Sequence, residues 1–162
     1  MSKNHIHVRE ARREDAEVLA RFNEAMALET EGLRLEPAVI RAGVCAVLED
    51  PSKGRYFVAE REGRAAGCLM VTSEWSDWRC GTFLWIQSVY VDPAFRRQGI
   101  FTALYRRVEG IAVAPGHCGI RLYMDGGNRS ARRAYERLGM AHRGYLVFET
   151  ADGLRDAPPP AG

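Results

Sequence analysis

No stretch of the chain is apolar for long enough to cross a bilayer, and no apolar run follows the polar opening Met1-Ser2-Lys3-Asn4-His5. The expectation is a cytoplasmic protein without a membrane partner. Cysteine is sparse: Cys45, Cys68, Cys80 and Cys118 make no C-x-x-C pair, which argues against zinc, and a cytosolic setting disfavours disulfides. They read as small core or strand residues. His5 and His7 could share one strand face, but no other ligand type stands near them, so they read as exposed strand histidines and no metal is expected. Charge of one sign is also lacking. A net charge of +2 with 27% charged residues of both signs interspersed gives no broad basic field, which excludes nucleic acid as the expected partner. No G-x-x-x-x-G-K-[ST] run occurs, which argues against a P-loop nucleotide site.

What is present suits one domain with a real core, since 162 residues fall near the usual domain size. The domain is expected over residues 1–150. The remainder, 151–162, ends in Ala157-Pro158-Pro159-Pro160-Ala161-Gly162, has little to bury, and reads as a disordered tail. After a first strand near His5 to Arg9, Arg13-Glu14-Asp15 opens a helix with Val18, Leu19, Phe22 and Met26 at helical spacing, closed by Gly32. Pro37 starts a second helix in which Val39, Ile40, Val44, Val47 and Leu48 form the stripe to be buried, up to Asp50-Pro51. Arg55 to Arg61 and Ala65 to Trp75 read as strands joined by a turn at Glu62-Gly63, and Thr82 to Val91 as a third, making an antiparallel meander. In the second connection, Ser76 to Gly81, Gly81 is expected to supply the flexible position. A helix from Gln98 to Val113, with Ile100, Leu104, Val108 and Ile111 on one side, then returns to a strand at residues 120–124, a parallel crossover. A helix over Arg129 to Leu138 ended by Gly139, and a strand over Tyr145 to Thr150, complete the pattern.

The most informative stretch is Val89-Tyr90-Val91-Asp92-Pro93-Ala94-Phe95-Arg96-Arg97-Gln98-Gly99-Ile100-Phe101-Thr102. A strand breaks at Asp-Pro and a helix restarts after a basic turn containing glycine. Pro93 stops strand pairing, Gly99 lets backbone approach a ligand, and the free amides opening the next helix favour an anion. Arg96 and Arg97 add charge, and with Arg106 and Arg107 form a local cluster matched to a phosphorylated small molecule, or else an ordinary solvated helix face.

Arg96-x-x-Gly99-x-Phe101 resembles the Q/R-x-x-G-x-G/A signature of the GNAT superfamily of N-acetyltransferases, with Phe101 departing from the usual glycine or alanine. The large Phe101 side chain is expected to point away from the pyrophosphate. Asn128-Arg129-Ser130-Ala131-Arg132-Arg133-Ala134-Tyr135-Glu136-Arg137-Leu138-Gly139 looks like that superfamily's later helix, and order and separation both fit. The resemblance implies an α/β (α+β) GNAT fold, a mixed central sheet of about six to seven strands flanked by about four helices. It implies acetyl-CoA as co-substrate, with its pyrophosphate held by Arg96, Arg97, Gln98, Gly99, Ile100, Phe101 and Thr102, and pantetheine on main-chain groups of Val89, Tyr90 and Val91. Asn128 and Tyr135 are implied near the thioester, with Tyr135 as the general acid for the departing thiolate; packing on the stripe of Ala131, Ala134 and Leu138 is the alternative for Tyr135.

The residues themselves suggest the acceptor side. Glu74, at the end of a central strand in Glu74-Trp75-Ser76-Asp77-Trp78-Arg79, is the candidate general base; alternatively this is hairpin chemistry, with Asp77 bonding the turn, Trp75 and Trp78 covering the sheet edge, and Glu74 paired with Arg79. Glu29 and Glu31 stand before Gly32, at the connection that the resemblance implies borders the acceptor pocket, where they could hold a cationic amine, with Trp75 or Trp85 as an aromatic wall, or could be a solvated helix end. The expected activity is acetyl transfer to the primary amine of a small molecule. A protein or peptide amino group as acceptor, and a non-catalytic acyl-CoA sensor, stand as alternatives, and a homodimer is consistent with the pattern.

Overall fold

Helix punctuation is set by a few residues. Gly32 takes a left-handed conformation (φ +66) that closes α1 (Ala16–Glu31), after a 3₁₀ turn at Arg13–Asp15, and Pro37 supplies the first position of α2 (Pro37–Glu49). The computed structural model describes residues 5–148. The other elements are β1 (His7–Glu10), β2 (Arg55–Arg61), β3 (Arg64–Ser76), β4 (Gly81–Val91), α3 (Ile100–Ala112), β5 (His117–Arg121) and α4 (Arg129–Arg137), with a second 3₁₀ turn at Pro93–Phe95. The strands form one sheet in chain order; β1 to β4 are antiparallel and β5 joins β4 in parallel through α3. The meander and the crossover expected from the sequence are therefore both present.

Period-two alternation assigns the two faces. Phe57, Leu69, Leu84 and Ile86 point to one side, where Leu104 and Val108 of α3 cover them. Tyr56, Val58 and Cys68 point to the other, under Leu19 and Phe22 of α1 and Val44 of α2. Gly67 of β3 packs tightly against the end of β4: a methyl group there would stand 2.7 Å from the Tyr90 carbonyl and 3.0 Å from Ile100.

Several expectations need correction. The sheet has five strands among the described residues, fewer than the six to seven implied. Tyr145 to Phe148 form no strand and are exposed, while residues 149–150 and the tail 151–162 lie outside the described residues. Val39 is 64% exposed because the α2 stripe that meets the sheet is Ile40, Val44, Cys45, Val47 and Leu48. In the β3–β4 turn the left-handed position belongs to Cys80 (φ +44), which is exposed rather than a core or strand residue. Gly81 serves close approach instead, with Gly116 and Cys118 each 3.3 Å from where a Cβ would sit. His7 meets Glu60 across the β1–β2 pair at 3.4 Å.

One ion network ties β1 to the start of α1. The Arg9 guanidinium donates to both Asp15 oxygens at 2.7 and 2.9 Å and to Glu60 at 2.8 Å. These bonds hold the Asp15 and Glu60 carboxyls below their usual range, against the desolvation that would raise them. A carboxylate depressed in the folded state contributes stability above its unfolded pKa and loses it as pH falls through the folded value. The melting temperature is expected to be flat above about pH 5 and to fall below about pH 4. Arg9→Met should flatten that acid limb in a thermal melt series; an unchanged limb would assign it to other groups.

Candidate functional site

The site begins where β4 outruns its neighbour. Pairing of β4 with β5 stops at Trp85↔Arg121, while β4 continues to Val91, so from Ile86 onward its β5-side edge has no strand beside it among the described residues. On the opposite edge Cys68 faces Tyr90 and Met70 faces Gln87, so Ser88 and Val89 together stand against Leu69. This is a β-bulge, and Ser88 is its left-handed residue (φ +51).

At the end of β4, Asp92 accepts from the Ala94 amide at 2.9 Å and Pro93 opens the 3₁₀ turn. Arg97 (φ +59) and Gly99 (φ +84) then turn the chain in left-handed conformations, and Gly99 caps α3 with no side chain on the first amides of the helix. Those amides are free for an anion, which the helix dipole favours. Ile100 is buried beside Gly67, so it offers the turn only its main chain, and Thr102 is exposed on the same helical turn. The Gln98 side chain is taken up by the Ala94 carbonyl at 3.0 Å.

Arg96 behaves differently from the expectation that it adds charge to this turn. Its Nε donates to the Val91 carbonyl at 3.0 Å, its Nη2 to Glu29 at 2.6 Å, and the guanidinium lies 5.6 Å from the Tyr90 ring centre. Tyr90 also donates to Glu29, at 3.1 Å. Glu29 is thus engaged by Arg96 and Tyr90 rather than open to an amine, and the three residues fasten the end of α1 to the end of β4. Arg106 is occupied by Glu109 at 2.5 Å and Arg107 lies over Phe57, so the four arginines do not converge. Arg97, exposed, remains the side chain of this turn suited to a phosphate.

Tyr135 projects from α4 onto the first turn of α3. Its ring meets Phe101 edge-on at 5.5 Å between centres, and burial pushes its phenol above the ordinary tyrosine range. Phe101, which breaks the sequence signature, therefore packs against the candidate acid. The Asn128 side chain accepts from the Ala131 amide at 3.0 Å and caps α4.

The acceptor side lies on the α1–α2 face of the sheet. Pairing puts Thr72 opposite Trp85 and Glu74 opposite Phe83, on that face. Trp85 packs on Tyr123 at 5.9 Å, and Gln87 donates to the Thr72 hydroxyl at 2.8 Å. Glu74 is ion-paired with Arg121, not Arg79, and Arg121 stacks on Phe83 at 3.7 Å. Alternation sends Trp75 to the other face, 65% exposed, so it does not join Trp85; Trp78 is exposed in the turn rather than covering the edge. Glu31 is exposed at the end of α1. Ser88 stands five positions beyond Phe83, roughly 16 Å along the strand, so Glu74 and the bulge mark two ends of one row. The sequence reading missed the Ser88 bulge, Thr72, Gln87, Arg121 and Tyr123. Each acts through a partner on another strand, and no local pattern signals it.

The description that matches this chain, over residues 17–140, is "Acetyltransferase (GNAT) family". A possible acetyltransferase from Clostridium difficile 630 is similar at 43% identity and TM-score 0.83, over 90% of this chain and 96% of that one. A predicted acetyltransferase from Clostridium acetobutylicum, solved with acetyl-CoA, is 15% identical with TM-score 0.74, over 92% of this chain and 98% of that one. An aminoglycoside N-acetyltransferase, AAC(6')-Iy, in complex with CoA is 16% identical with TM-score 0.72, over 90% and 94%. The last two likenesses concern the fold. No curated protein matches the sequence.

Proposed function

The chain belongs to the acetyltransferase (GNAT) family, and from that premise we propose that it transfers the acetyl group of acetyl-CoA to the primary amine of a small, cationic molecule. The observation that carries this reading is the continuity of the site. An uncapped turn at Gly99 opens onto the free edge of β4, and the same strand runs back to Trp85, which packs on Tyr123, and to Phe83 opposite Glu74. The free amides of α3 and Arg97 suit a pyrophosphate, and the edge from Ile86 to Val91 suits the amides of pantetheine.

In the proposed reaction the neutral amine attacks the thioester carbonyl carbon, the C–N bond forms, and the C–S bond breaks. Main-chain donors of β4 stabilise the carbonyl oxygen as it gains charge. Tyr135 gives its proton to the departing thiolate; its raised pKa keeps that proton in place until the thiolate forms. Glu74, paired with Arg121, faces the acceptor end of the row and receives the amine proton through intervening water, because it stands too far from the bulge to take it directly. Trp85 and Tyr123 add an aromatic wall that favours a cation.

Mixing the protein with acetyl-CoA and a panel of polyamines, amino acids, aminoglycosides and short peptides, and following free CoA thiol, tests this directly. Turnover on a small amine is expected. Turnover on peptides alone would replace the acceptor class, and a raised melting temperature with acetyl-CoA but no turnover on any amine would favour a sensor. Gly99→Ala forces a Cβ into the left-handed region at a cost of about 1 kcal/mol. It should also raise the KM for acetyl-CoA with little change in kcat; a KM equal to wild type would remove the turn from the cofactor site.

A further inference from the structure

The two edges of the sheet are finished differently. β1 is four residues long and carries Arg9 and Glu10, which are ion-paired with Asp15, Glu60 and Arg55, so it makes a poor template for another strand. β5, at the opposite edge, reads His117-Cys118-Gly119-Ile120-Arg121, with no charge on its middle three residues and no proline. Among the described residues no strand pairs with its outer side, whose main-chain donors and acceptors can therefore receive one.

The last described residues have the converse lack. Tyr145, Leu146, Val147 and Phe148 are between 65% and 89% exposed and pair with no strand, yet four large apolar residues in succession form the pattern of a strand covered on both faces. The chain's own helices cover one face at β5. Ile120, Leu122, Leu138 and Met140 pack against the core beneath α3, whereas α1 and α2 lie over β2, β3 and β4. Laid on its own β5, the run would still turn two of its four side chains towards solvent, on the side of the exposed Tyr123.

We infer that Tyr145–Phe148 of one copy of the protein adds as a strand to the outer edge of β5 in a second copy, and that the exchange is reciprocal. A two-fold arrangement gives both copies the same contact, and the body of the second copy supplies the cover that the first lacks. Main-chain bonds of the new ladder supply affinity, and the alternating side chains fix its register. The four exposed side chains present roughly 600 Å² per copy, so a reciprocal pair buries about 1,200 Å² before the receiving edges are counted, the size of a specific interface. β5 ends at Arg121, the ion-pair partner of Glu74, so the contact between copies adjoins the acceptor end of the row. Such an association holds whether or not the protein turns over an amine, since it is read without any substrate.

Sedimentation velocity of the full chain over a range of concentrations is expected to show a dimer. Val147→Pro, which removes a ladder donor, and Leu146→Asp, which keeps every donor but carries charge into the contact, should each raise the dimer dissociation constant at least about tenfold. Both variants should fold, because these positions lie outside the core, and far-UV circular dichroism checks that. Amides over residues 145–148 and 117–121 should exchange slowly in the wild-type dimer and quickly in Val147→Pro. In dimers mixed from nitrogen-labelled and carbon-labelled chains, nuclear Overhauser contacts between residues 145–148 and β5 should join different chains. A wild type that stays monomeric at every concentration overturns the inference, as do contacts confined to one chain. A dimer that both variants leave equally stable also overturns it, and would move the interface to another surface, such as the exposed Trp75 and Trp78.

Discussion

Tyr135→Phe is expected to lower kcat about 100-fold or more while leaving the KM for acetyl-CoA within about twofold, the range typical for loss of a general acid. The phenol carries a proton that burial holds more firmly than in water. The ring itself would stay, because phenylalanine keeps the edge-on contact with Phe101 at 5.5 Å and so preserves the packing of α4 on α3. Steady-state kinetics in both substrates separate the two roles. Because the folded phenol titrates above its usual range, kcat in wild type should not decline as pH rises through 9, which a pH–rate profile checks. Unchanged turnover in Tyr135→Phe would make the residue a packing element only.

Gly67→Ala is expected to damage both fold and activity. The added methyl group would stand 2.7 Å from the Tyr90 carbonyl, 3.0 Å from Ile100 and 3.3 Å from Val91 Cα. Two of those are backbone atoms, which cannot swing aside as a side-chain tip can, so β3 and the end of β4 must separate. Overpacking of this kind costs about 1–3 kcal/mol. The displaced segment is also the one that runs into the turn at Gly99, so acetyl-CoA affinity should fall together with the melting temperature. Thermal melts with and without acetyl-CoA test this: a stable variant with undiminished ligand shift would show that the strands can part there without moving the turn.

The parts of this architecture that the sequence made legible are those whose cause is local. Gly32, Pro37 and the Leu104/Val108 spacing fix helices by conformation and periodicity, and the Asp92-Pro93 break followed by Gly99 marks the turn without help from distant residues. The position of β5 was less legible. Alternation over residues 120–124 looks like a strand, but pairing with Thr82 to Trp85 places it at His117–Arg121, and Leu122 onward lies where β4 has turned away. That departure, which makes room for a ligand, is a relation between two strands and leaves no trace in either alone.

The same holds in the site. Trp75 and Trp85 are both aromatic and near Glu74 in order, yet alternation puts them on opposite faces. Arg96 fits the signature by position, but a carboxylate 67 residues earlier claims its guanidinium. The sequence contained Tyr56 and Asn23 as unremarked polar residues, and Ser88 within an ordinary strand pattern; the burial of the first two appears only when α1 is laid on the sheet, and the bulge at Ser88 only when β3 is paired with β4.

The junction of Glu29, Tyr90 and Arg96 has a consequence for how such a chain can diverge. Acceptor choice changes most readily by drift at the end of α1, since loops around a pocket tolerate substitution better than strands. Here that drift is not free. Losing the acid at 29 strands a cation at 96 and a phenol at 90 on the segment that must keep its shape for every acceptor. Lineages that exchange one amine for another should therefore change positions 29 and 96 as a pair, and inheritance of a new substrate would be visible as correlated substitution far from the amine it serves.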